Sequence, residues 1–262
     1  MFNEKKTIIK LLQIIEEQKF IKKQIIIVDD CSTDNSLDLV KSYDFKDENL
    51  ILSHKINEGK GASIQSAQKH INGDYVIIQD ADLEYDPKDF YRLYKCYLKN
   101  KNVKIIYGSR FLNKKFANLY QSFGKSIVRI VGNLVLTSFS NIINSQSLTD
   151  AHTCYKTFDS NIFKKIKLEE KGFSFCPEVN TKLSRMKLKI KEIPIKYVSR
   201  SKEMGKKITF IDAFYAIKTI LIYKFLNWFF LDIKYFFPYK TVPGNYCERA
   251  IPDPIPNSEV KP

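Results

Sequence analysis

IIIVDD, residues 25–30, is an uninterrupted β-branched run that stops on two acids. Four apolar residues with no polar break suit a strand buried on both faces, as in parallel sheets covered by helices. Upstream, Ile8, Leu11, Leu12 and Ile15 recur at helical spacing between Lys5 and Lys19, with Asn3 as the expected N-cap. Downstream, Ser32 or Thr33 can cap a helix over Asn35–Ser42, and a short strand is expected over Leu50–Ser53. After the polar loop NEGKGAS (57–63) a helix runs to about His70. Then YVIIQDAD (75–82) repeats the theme of a buried strand ending in acids. Pro87 sits at a typical helix entry, the helix continues to about Leu98, and Val103–Tyr107 reads as a further strand. Strands alternating with helices of this length predict βαβ units in an α/β, doubly wound, mostly parallel sheet. Ligands of such sheets lie beyond the carboxyl ends of the strands.

The second half differs. Between Ser126 and Ile143 the polar residues Ser126, Arg129, Asn133, Thr137 and Ser140 are spaced by three or four, so most of that helix is apolar and needs cover from protein or lipid. A mixed segment follows: TCYKTF, a helix near Pro177–Met186, the strand-like IKEIPIKYV, and a long aromatic-rich stretch over Thr209–Phe237. The Pro-rich tail from Pro238 is expected to be irregular.

With 262 residues, 44% apolar and 27% charged, the composition is that of a folded globular protein and excludes a disordered or collagenous chain. Lys and Arg number 43 against 29 acids, and the net +14 predicts a polyanionic partner: nucleic acid, an anionic membrane face or a phosphorylated substrate. Five cysteines without a CxxC pair suit reduced thiols, and three histidines exclude a His-rich metal site. The opening MFNEKKTIIKLL carries charge where a secretory signal needs an apolar run, so a cytosolic location is expected.

Chemistry concentrates at the strand ends. Residues two apart on an extended chain point the same way, so Asp80, Asp82 and Glu84 can present carboxylates together. Three acids that close repel unless a cation neutralises them, and hard oxygen ligands suit Mg²⁺ or Mn²⁺ shared with substrate phosphates. The alternative is a solvated acidic turn. Asp29 or Asp30 could accept hydrogen bonds from a nucleotide, or serve with Ser32 and Asp34 as helix caps. The loop Asn57–Gly61 could bring backbone N–H groups near phosphate, although it lacks P-loop spacing.

These residues resemble the family 2 glycosyltransferases of nucleotide-sugar type, and within them the dolichyl-phosphate mannosyltransferase-like enzymes. The resemblance rests on FNE (2–4), VDDCSTDNS (28–36), NEGKGAS (57–63), DADLEYDP (80–87), GSRF (108–111), TDAHTCYKTF (149–158), FSFCPE (173–178) and YVSRSKEMGKK (197–207), in this order over residues 2–220. It implies a Rossmann-like GT-A fold with a catalytic domain over 1–207, split near residue 110 into donor and acceptor halves. An amphipathic, membrane-interface helical region would cover 208–237 and the tail 238–262. It implies that Glu4, Asp29, Asp30 and Lys60 surround the nucleotide, that Asp80 and Asp82 form the D-x-D with Asp82 on the metal, and that Glu84 is a third metal candidate. Arg110, Arg200, Lys206 and Lys207 would clamp the donor diphosphate and the lipid phosphate, with Asp150 and Glu178 facing the acceptor. The implied reaction is an inverting hexose transfer from GDP-mannose or UDP-glucose to a polyprenyl or dolichyl phosphate, needing Mg²⁺ or Mn²⁺, at the cytoplasmic face of a membrane. A saccharide acceptor in cell-surface polysaccharide synthesis is the alternative within the family, and a non-catalytic basic nucleotide- or nucleic-acid-binding protein the alternative outside it. No nucleic acid is expected, since no recognition motif accompanies the charge.

The stretch Ala213–Leu231 has the length of a bilayer span but contains Lys218, Lys224 and Asn227. Two central lysines oppose insertion by roughly 5 to 7 kcal/mol, so an interfacial helix on an anionic leaflet is preferred over a span. In the family an apolar strand precedes the Asn3-Glu4 pair, and it lies centrally between the strands Ile25–Val28 and Tyr75–Ile78. The sheet is therefore expected to lack its first strand. Either the true start lies upstream, or another segment fills the gap, or this version is poorly folded and inactive.

Overall fold

The computed structural model describes residues 1–200 and 210–226. Helix α1 (Ile8–Glu16) buries Ile8, Leu11, Leu12 and Ile15 on one face, as the spacing predicts. Thr7, not Asn3, stands at its cap. Asn3 instead accepts from the backbone N–H of Thr33 at 2.8 Å, tying the start of the chain to the loop after the first strand.

That strand, β1 (Gln24–Asp29), runs parallel to β2 (Glu48–Ser53) with Asp29 opposite Ser53, and α2 (Ser36–Lys41) makes the crossover. Helix α3 (Lys60–Gln68) leads to β3 (Tyr75–Ile77). A 3₁₀ turn at Pro87–Asp89, capped by the Asp86 carboxylate on Lys88 N–H, opens α4 (Phe90–Lys99), and β4 follows (Ile105–Ser109). After α5 (Phe116–Ser122) and α6 (Ile127–Asn144) come β5 (Lys156–Asp159), α7 (Ser160–Lys165), α8 (Phe175–Arg185), β6 (Lys191–Pro194) and α9 (Phe210–Phe225).

Two sheets result among the described residues: β1-β2, and β3-β5-β4-β6, in which β4 and β6 are parallel and β5 is antiparallel to both β3 and β4. The architecture is α/β, and the sheet is mostly parallel. The reversed strand β5 comes from the TCYKTF segment, where alternation over four residues is too short to read as a strand. Side chains alternate across β4: Ile106 joins a core with Leu12, Ile27 and Leu93, whereas Ile105 and Tyr107 join one with Phe158, Phe163 and Val179.

No strand joins β1 to β3 among the described residues, as the sequence leads one to expect. Met1 supplies one rung: its ammonium donates to Val28 O at 2.6 Å and Asp30 N donates to Met1 O at 2.8 Å. In consequence β3 is not buried on both faces as expected; Tyr75 is exposed and Val76 and Ile77 are half-buried.

Candidate active site

The carboxyl ends of β1 and β3 open on one cleft of about 2860 Å³. Asp30, just past β1, is buried with both oxygens engaged: Oδ1 accepts from Glu58 N at 2.9 Å and contacts His54 Nδ1 at 2.8 Å, while Oδ2 accepts from Gly59 N at 2.8 Å. Burial opposes its charge, but the His54 bond and the two backbone donors hold its pKa below the usual carboxylate value. Asp29 is turned inward; Oδ2 accepts from Ser32 N at 3.1 Å and Oδ1 is buried without a hydrogen-bond partner. Of the two, Asp30 lines the cleft and shapes the Asn57–Gly61 loop.

That loop is gripped from behind. Ala62 N donates to Lys171 O at 3.0 Å, and Lys171 pairs with Glu58 at 2.7 Å. A Cβ on Gly61 would lie 1.9 Å from Glu170 O, and one on Gly59, whose φ is +97°, 2.6 Å from Lys171 O. Only glycine allows such an approach. Glu178, expected on the acceptor side, instead organises this support: its carboxylate accepts from Glu169 N at 2.7 Å and Glu170 N at 3.0 Å and pairs with Lys182 at 2.6 Å.

The acids after β3 each carry an internal cation. Lys60 binds the Asp80 carboxylate and lies 2.8 Å from Cys154 Sγ. Burial works against the Asp80 charge, but Lys60 holds its pKa below normal. Arg200 reaches Asp82 Oδ2 at 3.0 Å and both oxygens of Glu4 at 3.0 Å. Asp82 nevertheless has its pKa pushed up to about 7, by burial first and then by the charges of Asp80 and Glu84. Glu84 does not turn toward Asp80: Oε2 accepts from Tyr197 OH and Oε1 from Arg200 N, each at 2.8 Å. Among the described residues no three acids, histidines or cysteines converge on a point that would hold a metal unaided. Asp80 and Asp82 suit an ion that also takes substrate phosphates.

Arg110 is placed differently from the phosphate clamp that the resemblance implies. It is buried, donates to Asp150 through N, Nε and Nη2 at 3.0, 2.7 and 2.7 Å, and stacks 5.1 Å from the Tyr197 ring. Asp150 is thereby spent on Arg110. Lys206 and Lys207 lie outside the described residues. Nothing in the sequence marks His54; only the β1-β2 register, Asp29 opposite Ser53, places it beside Asp30.

Helices α6 and α9 pack together and form the cleft's far wall through Arg129, Asn133 and Leu136 on one and Tyr215 and Ile222 on the other. Their outer sides are bare: Val128 is 63% exposed, Ile142 77% and Phe214 67%. Among the described residues α6 is the one helix long and apolar enough to cross a membrane. The described part of the 213–231 stretch, residues 213–226, takes in most of α9; residues 227–231 lie outside the described residues.

Known proteins resemble this chain in sequence and in fold. The chain is 27% identical over 210 residues to a dolichyl-phosphate beta-glucosyltransferase of Trichomonas vaginalis, covering 75% of this chain and 63% of that protein. The chain thus spans less than two thirds of that relative's length. It is 24% identical over 242 residues to a UDP-N-acetylglucosamine–dolichyl-phosphate N-acetylglucosaminyltransferase of Methanococcus voltae, covering 85% and 93%. The fold superposes on glucosyl-3-phosphoglycerate synthase of Mycobacterium tuberculosis, solved with Mn²⁺ and UDP-glucose, with a TM-score of 0.63 at 14% identity over 86% of this chain and 76% of that one. The profile of Glycosyl transferase family 2 matches residues 1–167, a span that holds Asp30, the Asn57–Gly61 loop, Asp80, Asp82 and the Arg110–Asp150 pair. The chain belongs to glycosyl transferase family 2.

Proposed function

We propose that this chain transfers a hexose from a nucleotide sugar to a polyprenyl or dolichyl phosphate at the cytoplasmic face of a membrane. The observation that carries this reading is one wall of the cleft: α6 and α9 line the same cleft as Asp80 and Asp82 and turn bare apolar side chains outward. A lipid-linked acceptor whose tail stays in the bilayer and whose phosphate enters the cleft fits that wall. The net +14 favours an anionic leaflet. The relatives named for dolichyl phosphate point the same way.

Asp30 and the Asn57–Gly61 loop would hold the nucleoside, with the 169–172 segment keeping the loop in place. Asp80 and Asp82 would hold Mg²⁺ or Mn²⁺, and Glu84, already taken by Tyr197 and Arg200, would not. When bound, the ion offsets negative charge on the leaving diphosphate. Lys60 on Asp80 and Arg200 on Asp82 are the cations already at that place, and Arg200 would follow the same charge once Asp82 is occupied. The acceptor phosphate oxygen forms a bond to the anomeric carbon as the bond to the diphosphate breaks, with inversion. A phosphomonoester, with a second pKa of about 6, is already ionised at neutral pH, so no side chain need take its proton. This matches the state of Asp150, whose carboxylate is committed to Arg110 and not free to serve as a base.

The test is a panel of nucleotide sugars offered with polyprenyl phosphate in vesicles and, separately, with oligosaccharide acceptors. Label entering the organic phase from one donor supports the proposal. Label entering only saccharide would move the chain to polysaccharide synthesis.

A further inference from the structure

We propose that His152 and Asn133 form a subsite that accepts hydrogen bonds from hydroxyl groups of the donor's hexose and so helps to select the sugar. The inference rests on the proposed reaction, which is what brings a hexose into this cleft.

Each residue carries an orphaned polar atom. His152 Nε2 and Asn133 Oδ1 are buried and have no hydrogen-bond partner among the described residues. Both residues line the cleft that holds Asp80 and Asp82. The segment before β5 and helix α6 bring them to one wall: Ala151 N donates to Thr137 Oγ1 at 3.2 Å, and the His152 ring hydrogen-bonds to the Leu136 backbone. Asn133 stands one turn earlier on α6, three residues before Leu136 and four before Thr137, so it shares their face. The same segment also reaches the acids. Two residues after His152, Cys154 Sγ lies 2.8 Å from Nζ of Lys60, the cation bound to Asp80. The subsite is thereby tied to the place proposed for the diphosphate, to which the hexose is attached.

The chemistry of the two atoms selects the ligand. Burial first, and then the charge of Lys156, push the His152 pKa down to about 4, so the ring is neutral at pH 7. With the other ring nitrogen donating to Leu136, Nε2 offers a lone pair, as Asn133 Oδ1 does. Two acceptors call for two donors. An ionised phosphate brings none, an apolar lipid tail leaves both atoms unpaired, and a hard divalent ion prefers the carboxylates of Asp80 and Asp82. A hexose carries several hydroxyls on one rigid ring and can donate to both. A sugar without a hydroxyl at the matching position leaves a buried acceptor unpaired, which is how a site built to bond a hydroxyl rejects analogues that lack it.

The probes are UDP-glucose and GDP-mannose, their monodeoxyfluoro analogues, and UDP and GDP alone, titrated with Mg²⁺ into the full chain. Fluorine fills the place of a hydroxyl but has no proton to donate. The chain has three histidines, so nitrogen NMR can follow the His152 ring, identified as the signal lost in His152→Phe. The Nε2 signal should move upfield with one of the nucleotide sugars and stay in place with the nucleoside diphosphate alone. Fluorine at one position should weaken binding of that donor about fivefold or more. His152→Phe should bind the nucleoside diphosphate as before but lose this discrimination, and His152→Gln, whose amide oxygen accepts, should recover part of it. Asn133→Leu should erase discrimination at a second position. An Nε2 signal that neither nucleotide sugar moves, or that the nucleoside diphosphate alone moves as far, would overturn the proposal. Equal binding of every deoxyfluoro analogue by the unaltered chain would overturn it too. Should UDP and GDP also fail to bind, the proposed reaction falls with the subsite; should they bind while these readouts stay flat, the subsite falls alone.

Discussion

Arg200 holds Glu4 and Asp82 through its guanidinium and Glu84 through its backbone N–H, so it stands where a divalent ion and a diphosphate would otherwise be felt. Arg200→Gln is expected to lower turnover and yet to tighten Mn²⁺ binding severalfold, because a competing charge is gone; electron paramagnetic resonance of free Mn²⁺ reads this directly. Unchanged affinity would mean that Arg200 does not compete with metal. Asp82→Asn should raise the barrier by on the order of 3 kcal/mol, the scale for losing a main electrostatic stabiliser, measured as turnover at saturating donor. Asp82 also titrates. Its pKa near 7 in the fold lies above its unfolded value, so the native state binds the extra proton between about pH 4 and 7. Without metal, stability should therefore fall as pH rises through that window, by up to about 1.4 kcal/mol per pH unit. Urea melts of Asp82→Asn should lack this slope. The D-x-D was legible because residues two apart share a direction at a strand end. His54 was not, since 24 residues separate it from Asp30 and only strand register brings them together.

At the scale of elements, the alternation of periods over the first 110 residues was enough to place β1, β2, β3 and β4 in a βαβ series. The reversed strand β5 was hidden because its Lys156 is a charged residue fully buried in a strand, donating to Ala151 O at 3.0 Å and lying 3.8 Å from the centre of the Tyr107 ring. Hydrophobic patterning has no way to signal that. The Arg110–Asp150 lock was equally hidden: a basic residue after a strand reads as a phosphate ligand until its partner is seen. Helices α6 and α9 give an element-scale test. Val135 is 60% exposed and Phe214 67%, so an aspartate at both positions should abolish sedimentation with anionic vesicles and leave the melting temperature nearly unchanged. A matching loss of stability would instead make this face part of the core. The support behind the donor loop gives another. Gly61→Ala must push back the Glu170 carbonyl, so KM for the donor should rise more than KM for the acceptor.

In the proposed reaction, the net charge of +14, the cleft that holds Asp80 and Asp82 and the bare apolar side of α6 and α9 would divide the work among membrane, donor and acceptor. The charge asymmetry was visible in the sequence; that Lys60 and Arg200 are turned inward on the acids was not, because ion pairing depends on which loops converge. The proposed reaction requires the cleft to take a nucleotide sugar together with a divalent ion at Asp80 and Asp82. Calorimetric titration of the full chain with UDP- and GDP-sugars, in Mg²⁺ or Mn²⁺ and again in EDTA, measures that directly. One donor should bind with metal, lose at least about tenfold in affinity in EDTA, and lose a similar amount when Asp80 and Asp82 are both changed to Asn. Equal binding in EDTA and to the double variant would contradict the account.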